Sequence, residues 1–133
     1  MPSVMVVDDE KDILRLIESY LDKRRIQHVG FSDPLDALTH FQQNSTKYDV
    51  VLSDIRMPHM SGLELAGHIT ALNPKVKILM MSAFVIDSNQ MRRLQADQKV
   101  VEFVAKPFTF GKLGEVLDRH LGRDGNGISL VFF

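Results

Sequence analysis

The chain has 133 residues, and 16 lysines and arginines nearly balance 17 aspartates and glutamates, for a net charge of -1. This balance gives no bulk electrostatic attraction to nucleic acid or to an anionic membrane, and the absence of cysteine excludes disulfides, thiolate metal sites and a cysteine nucleophile. The length indicates one domain. Without a basic-then-apolar leader, or an apolar run near the ~20 residues of a membrane span, we expect a cytoplasmic protein that does not bind membranes.

Strand-like and helix-like segments alternate five times along the chain. Short β-prone runs predict strands, and longer segments with apolar residues at helical spacing predict helices. The predicted strands cover Val4–Val7, Gln27–Phe31, Tyr48–Ser53, Val76–Met81 and Val100–Ala105. The predicted helices cover residues 12–25, 33–44, 61–73, 87–98 and 108–120.

Local signals predict where these helices begin and which faces they bury. Asp33 followed by Pro34 is typical of a helix start, and Ser61 with Glu64 three residues later matches a capping box. In the first helix we expect the inward-facing residues to be Ile13, Leu16, Ile17, Tyr20 and Leu21. In the second helix they are Leu35, Leu38 and Phe41, and in the last helix they are Leu113, Val116, Leu117 and Leu121.

The alternation of strands with helices of ten to fifteen residues is typical of right-handed βαβ units. The run Val50-Val51-Leu52 is continuously apolar, as expected of a strand that is covered on both faces. We therefore predict an α/β fold with a parallel sheet between two layers of helices. Ligands of such sheets bind at the carboxyl ends of the strands, where the strand order reverses.

Polar side chains follow four of the predicted strands at that edge. Asp8 and Asp9 follow the first strand, Asp54 the third, Ser82 the fourth and Lys106 the fifth. Each has an ordinary alternative: the acid pair is favoured near a helix N-terminus, Asp54 could cap a loop, and a lysine is usually solvated at the surface. Because all of them fall at the same end of different strands, we interpret them as one site.

The chemistry of these side chains indicates phosphoryl transfer. Clustered carboxylates repel one another and require a cation, and oxygen ligands without histidine or cysteine favour Mg²⁺. Asp54 is the central acid, and we interpret it as the nucleophile that forms an aspartyl phosphate. Lys106 would offset charge on the phosphoryl oxygens, and the Ser82 hydroxyl would donate a hydrogen bond to one of them. We also hypothesise a cis peptide bond between Lys106 and Pro107.

The chain carries motifs of a known family. They are Val-Val-Asp-Asp-Glu at 6–10, Ser-Asp-Ile-Arg-Met-Pro-His-Met-Ser-Gly at 53–62, Met-Ser-Ala-Phe at 81–84 and Ala-Lys-Pro-Phe at 105–108. Together they resemble the response-regulator receiver domain (CheY-like), the phosphoacceptor module of two-component signal transduction. The resemblance implies a flavodoxin-like, doubly wound (βα)5 fold with a parallel five-stranded sheet in the order 2-1-3-4-5. It places a receiver domain at 1–122 and leaves a C-terminal tail at 123–133, linker-like and then apolar.

The resemblance also implies the partners of the site. Asp54 is then the phosphorylation site, and a sensor histidine kinase or a phosphotransfer protein supplies the phosphoryl group. Mg²⁺, with Mn²⁺ as a substitute, is held by Asp9, Asp54 and the backbone carbonyl of Arg56, while Asp8 acts through water. Such a domain is a signalling module and not an enzyme, since it catalyses only its own phosphorylation and dephosphorylation.

The same resemblance implies a conformational switch and two residues that adjust the lifetime of the phosphorylated state. Ser82 turns toward the phosphoryl group, and Phe103 moves inward behind it by packing alone, because phenylalanine lacks a hydroxyl; an ordinary half-buried aromatic is the alternative, and both can hold. Arg56 and Phe84 occupy positions that tune phosphate lifetime, and the bulk of Phe84 predicts slow self-dephosphorylation. The change is read on the fourth predicted helix, the fifth strand and the last helix, where the expected contributors are Leu94, Phe103, Phe110 and Leu113.

The expected binding partner of that surface is a downstream protein or an output domain, and dimerisation on phosphorylation is a further alternative. We expect no direct nucleic-acid binding by this domain. The apolar end at 128–133 could pair with a sheet edge, pack in a partner's groove or begin a further domain.

Two other functions are less consistent with the sequence. A phosphohydrolase of the haloacid dehalogenase type needs a second acid two residues after the nucleophile, where this chain has Arg56. A flavin or nucleotide binder would have a phosphate loop rich in Ser, Thr and Gly after the first strand, where this chain has Asp-Asp-Glu-Lys.

Overall fold

The computed structural model describes residues 2–83, 87–89, 92–93, 96 and 100–122. Five strands lie at Ser3–Val7 (β1), Gln27–Phe31 (β2), Val50–Asp54 (β3), Lys77–Ser82 (β4) and Val100–Ala105 (β5). Helices lie at Lys11–Lys23 (α1), Pro34–Gln43 (α2), Gly62–Leu72 (α3) and Phe110–Leu121, which we call the last helix. Half of the predicted helix at 87–98 falls outside the described residues, and the tail at 123–133 falls wholly outside them.

The strands form one parallel sheet in the order β2-β1-β3-β4-β5, which confirms the predicted flavodoxin-like topology. β1 pairs with β2 on one side and with β3 on the other, so the strand order reverses between β1 and β3. The strand boundaries differ little from the prediction, although β3 starts at Val50 and includes Asp54 as its last residue.

Helices cover both faces of the sheet, as predicted. Successive side chains of a strand point to opposite faces, so Val4 and Val6 of β1 pack with α1 and the last helix, whereas Met5 and Val7 pack with α2 and α3. β1 and β3 are buried along their whole length. The core is therefore divided into two halves by a sheet whose central strands are buried.

Two of the leucines that were predicted to face inward lie at the surface. Leu16 of α1 is 53% exposed, and Leu35 of α2 is 44% exposed. At about 100° per residue, Leu16 lies about 200° around the helix from the buried Leu14, and Leu35 lies about 200° from the buried Ala37. The helical period was predicted correctly, and Ile17, Leu21 and Phe41 are buried as predicted. The predicted apolar faces were too wide, because they included Leu16 and Leu35.

The predicted helix starts are confirmed. The Asp33 side chain accepts a hydrogen bond from the backbone N–H of Leu35 at 2.9 Å, and Ser61 and Glu64 form a reciprocal capping box. None of the helices in the described part of the chain combines the length and the apolar character that a bilayer crossing requires.

Candidate functional site

Backbone hydrogen bonds hold the carboxyl ends of the strands together beyond the sheet itself. The N–H of Ile55 donates to the carbonyl of Met81 at 3.1 Å, and the N–H of Lys106 donates to the carbonyl of Ser82 at 2.7 Å. The residues that follow β3 and β5 are thus fixed against β4. The peptide bond between Lys106 and Pro107 is cis, as predicted.

The Lys106 ammonium lies among three carboxylates. Its Nζ is 2.8 Å from Asp8 Oδ2, 3.3 Å from Glu10 Oε1 and 3.6 Å from Asp54 Oδ2. The lysine side chain is only 11% exposed, and the Asp8 side chain is fully buried. This environment excludes the alternative of a solvated surface lysine, and it places one cation beside the central acid of the predicted site.

Burial acts on the pKa of Asp54, of Asp8 and of Lys106. Burial raises the pKa of Asp54 to about 6, and the charges of Asp8 and Asp9 add to this effect, although Lys106 and the Ile55 N–H oppose it. Burial also raises the pKa of Asp8, against the hydrogen bond from Lys106. Burial disfavours the charged lysine, but the hydrogen bond to Asp8 and the neighbouring carboxylates outweigh it, so the pKa of Lys106 is raised. Burial therefore makes Asp8 and Asp54 harder to ionise than free carboxyl groups, despite the nearby ammonium.

The donor atoms fit a hard divalent cation. Carboxylate oxygens of Asp8, Glu10 and Asp54 lie within 4.8 Å of one another, and such oxygen ligands are those that Mg²⁺ prefers. Asp9, which was predicted as a ligand, is not part of this trio, but it lines a cavity of about 280 Å³ together with Asp54 and Glu10. Glu10 was not predicted as a site residue. The sequence feature that could have indicated Glu10 is its position directly after Asp8 and Asp9, as the third acid of the Asp-Asp-Glu run.

The cavity also collects the other side chains that were predicted near the phosphoacceptor. Ser82, Arg56 and Lys106 line it together with Asp9 and Asp54. Ser82 is buried at the end of β4. The structure therefore brings the predicted phosphoacceptor, metal-binding and phosphate-contacting residues together at this edge. Phe103 is not among them, and Phe84 lies outside the described residues.

The residues of the predicted readout surface do not share one exposed face. Phe103 is half-buried and packs on the α2 and α3 side of the sheet, and Leu113 is fully buried, so its assignment to an exposed surface was wrong. Phe110 is exposed, but its ring stacks on Tyr20 of α1 with 4.9 Å between centroids. Leu94 lies outside the described residues.

A glycine closes the loop that follows the candidate phosphoacceptor. The N–H of Gly62 donates to the carbonyl of Ile55 at 2.7 Å, and a Cβ at Gly62 would lie 2.0 Å from the backbone carbonyl oxygen of Asp54. No real Cβ tolerates such a distance, so only glycine allows the start of α3 to approach β3 this closely. The loop is thereby held against the residue that carries the central carboxylate.

Proteins of known sequence and structure resemble this chain over most of its length. It is 32% identical over 122 residues to the regulatory protein VanRB of Enterococcus faecalis, covering 92% of this chain and 53% of VanRB. It is 30% identical over 120 residues to the transcription factor SKN7 of Chaetomium thermophilum, covering 90% of this chain and 15% of SKN7. The chain thus spans about half or less of the length of these relatives.

The same likeness extends to solved structures and to a family. The crystal structure of response regulator protein TrrA from Thermotoga maritima, in complex with Mg²⁺-BeF, superimposes with a TM-score of 0.77 at 31% identity, covering 91% of this chain and 100% of TrrA. The sequence model of the response regulator receiver domain matches residues 4–118. The chain therefore belongs to the response regulator receiver domains of two-component signalling.

Proposed function

We propose that this receiver domain accepts a phosphoryl group on Asp54 in a Mg²⁺-dependent reaction and signals by changing its surface. One observation carries the proposal: the buried Asp54 carboxylate lies 3.6 Å from Lys106 Nζ, at the edge where the Asp8 and Glu10 carboxylates also converge. A buried nucleophile beside a cation and extra acids suits a reaction that places an anionic group on a carboxylate.

The covalent step exchanges one bond to phosphorus for another. A carboxylate oxygen of Asp54 forms a bond to phosphorus while the P–N bond of a phosphohistidine, on a sensor kinase or phosphotransfer protein, breaks and the imidazole leaves with a proton from solvent. Lys106 offsets charge on the phosphoryl oxygens, and the Ser82 hydroxyl donates a hydrogen bond to one of them.

The proposed metal ligands are Asp9, Asp54 and the backbone carbonyl of Arg56, and the acid Asp8 would hold the ion through a water molecule. When bound, Mg²⁺ would neutralise the acids and the phosphoryl oxygens, and Mn²⁺ would serve as a substitute. Two of these acids, Asp8 and Asp54, belong to the trio whose oxygens already lie close together.

The proposed output passes through β4 and β5 to the last helix. Ser82 would turn toward the phosphoryl group, and the half-buried Phe103 would move inward behind it. Glu102, the neighbour of Phe103 on β5, accepts hydrogen bonds from Arg119 and from His120 of the last helix, so a shift of β5 would be transmitted to that helix. The reader would be a cytoplasmic downstream protein or an output domain.

Intact-protein mass spectrometry tests the proposal. After incubation with Mg²⁺ and acetyl phosphate, we expect one phosphate adduct per chain, which disappears in Asp54→Asn and with EDTA. Asp36→Asn, which changes an exposed acid in the first turn of α2, is the matched control and should keep the adduct. Continuous release of inorganic phosphate without an adduct would instead support a phosphohydrolase.

A further inference from the structure

Glu10 is held between the helix that it starts and the lysine of the site. It occupies the N-cap position of α1, yet its side chain makes no capping hydrogen bond. Its Oε1 instead lies 3.3 Å from Lys106 Nζ, and its backbone N–H donates to Asp8 Oδ1 at 2.9 Å. One residue thus contacts both Lys106 and the acid that binds Lys106 most closely.

The two carboxylates that hold the lysine differ in depth. Asp8 is fully buried at 2.8 Å from Nζ, whereas the side chain of Glu10 is 62% exposed at 3.3 Å. A divalent cation held by Asp54, and by Asp8 through water, would repel the ammonium from that inner position and from Asp54, which lies 3.6 Å from Nζ. Because a partly buried ammonium without a carboxylate partner is costly, the lysine then needs a second partner, and Glu10 is already within contact distance.

We propose that Glu10 is a positioning residue that retains Lys106 when a divalent cation takes Asp8. The inference rests on the proposed function, because it concerns the same lysine and the same metal. Lys106 then has an inner position on Asp8 and an outer position on Glu10. Without Glu10, the lysine and the cation compete for Asp8, and the cation binds more weakly.

Calorimetric titration with Mg²⁺ tests this competition. We expect Glu10→Gln and Glu10→Asp each to bind Mg²⁺ about three-fold more weakly than the wild type, a size typical of one partly exposed ion pair. Glu10→Asp retains the charge but shortens the side chain, so it separates contact with Lys106 from net charge. Asp12→Asn is the matched control, since Asp12 is an exposed acid of α1 that contacts only Arg15 among the salt bridges of the described residues.

A double-mutant cycle shows whether Glu10 acts through the lysine. In a Lys106→Met background, Glu10→Asp should no longer change the Mg²⁺ affinity, and Lys106→Gln serves the same purpose if Lys106→Met does not fold. A loss that persists in this background would mean that Glu10 binds the ion directly and would overturn the inference, as would a Glu10→Asp variant with wild-type affinity.

The ¹⁵Nζ resonance of Lys106 gives a second readout without phosphorylation. It should shift on Mg²⁺ addition in the wild type and shift differently in Glu10→Asp. If the wild type forms no phosphate adduct and binds no Mg²⁺, the proposed function fails. If it does both and the Glu10 variants match it, only the role of Glu10 fails.

Discussion

Replacing Asp54 with asparagine is expected to stabilise the metal-free protein at neutral pH. The pKa of Asp54 is raised from 3.8 to about 6, mainly by burial. A carboxyl group with a raised folded-state pKa contributes stability below its unfolded pKa, and that contribution is lost as the pH rises through the folded pKa. Ionisation of Asp54 therefore lowers the free energy of unfolding progressively between about pH 4 and pH 6.5, and the loss persists at higher pH.

The size of the effect follows from the pKa difference. About two pKa units correspond to about 3 kcal/mol, at roughly 1.36 kcal/mol per unit. This value already includes the attraction of Lys106 for the Asp54 carboxylate, and the asparagine also leaves that lysine with one acid fewer. We therefore expect a net gain of about 1–3 kcal/mol for Asp54→Asn at pH 7.5.

Urea unfolding in EDTA at pH values from 4.5 to 7.5 measures this gain. The difference in unfolding free energy between Asp54→Asn and the wild type should grow with pH and level off near pH 7. Asp36→Asn controls for the loss of an acid elsewhere and should run parallel to the wild type. Parallel pH profiles for Asp54→Asn and the wild type would refute the claim that burial of this carboxyl opposes its ionisation.

Four further substitutions, one of them a control, test the local and core interactions by urea unfolding. Gly62→Ala should lower the free energy of unfolding by about 1–3 kcal/mol, because its Cβ would overlap the backbone of Asp54. The control is Gly111→Ala, whose Cβ would lie 3.7 Å from its nearest neighbour. It should leave the free energy of unfolding unchanged or raise it by favouring the last helix. Ser61→Ala should cost about 1 kcal/mol by removing the capping box; no loss would mean that water replaces it. Phe41→Ala should cost about 3–5 kcal/mol, since the ring is fully buried, and a smaller loss would indicate that the core collapses around it.

The elements of this fold were predictable because their signals are local. Proline after Asp33 and the pairing of Ser61 with Glu64 act within one helical turn, and both predicted helix starts are confirmed. The error at Leu16 arose because the apolar residues of α1 extend around more of the helix than the sheet can cover. Periodicity predicts a helix, but the packing partner decides which side of it is buried.

By itself, the sequence determined the order of strands and helices and the presence of acids, a hydroxyl and a lysine after the strands, because each of these depends on neighbouring residues alone. Only the tertiary structure decided which of the acids meet. Glu10 and Lys106 are 96 positions apart in the chain, and their contact depends on the direction in which α1 leaves β1 and on the pairing of β5 with β4. Because such long-range geometry sets the distances between charges, it decided that Glu10 joins Asp8 and Asp54 around the lysine.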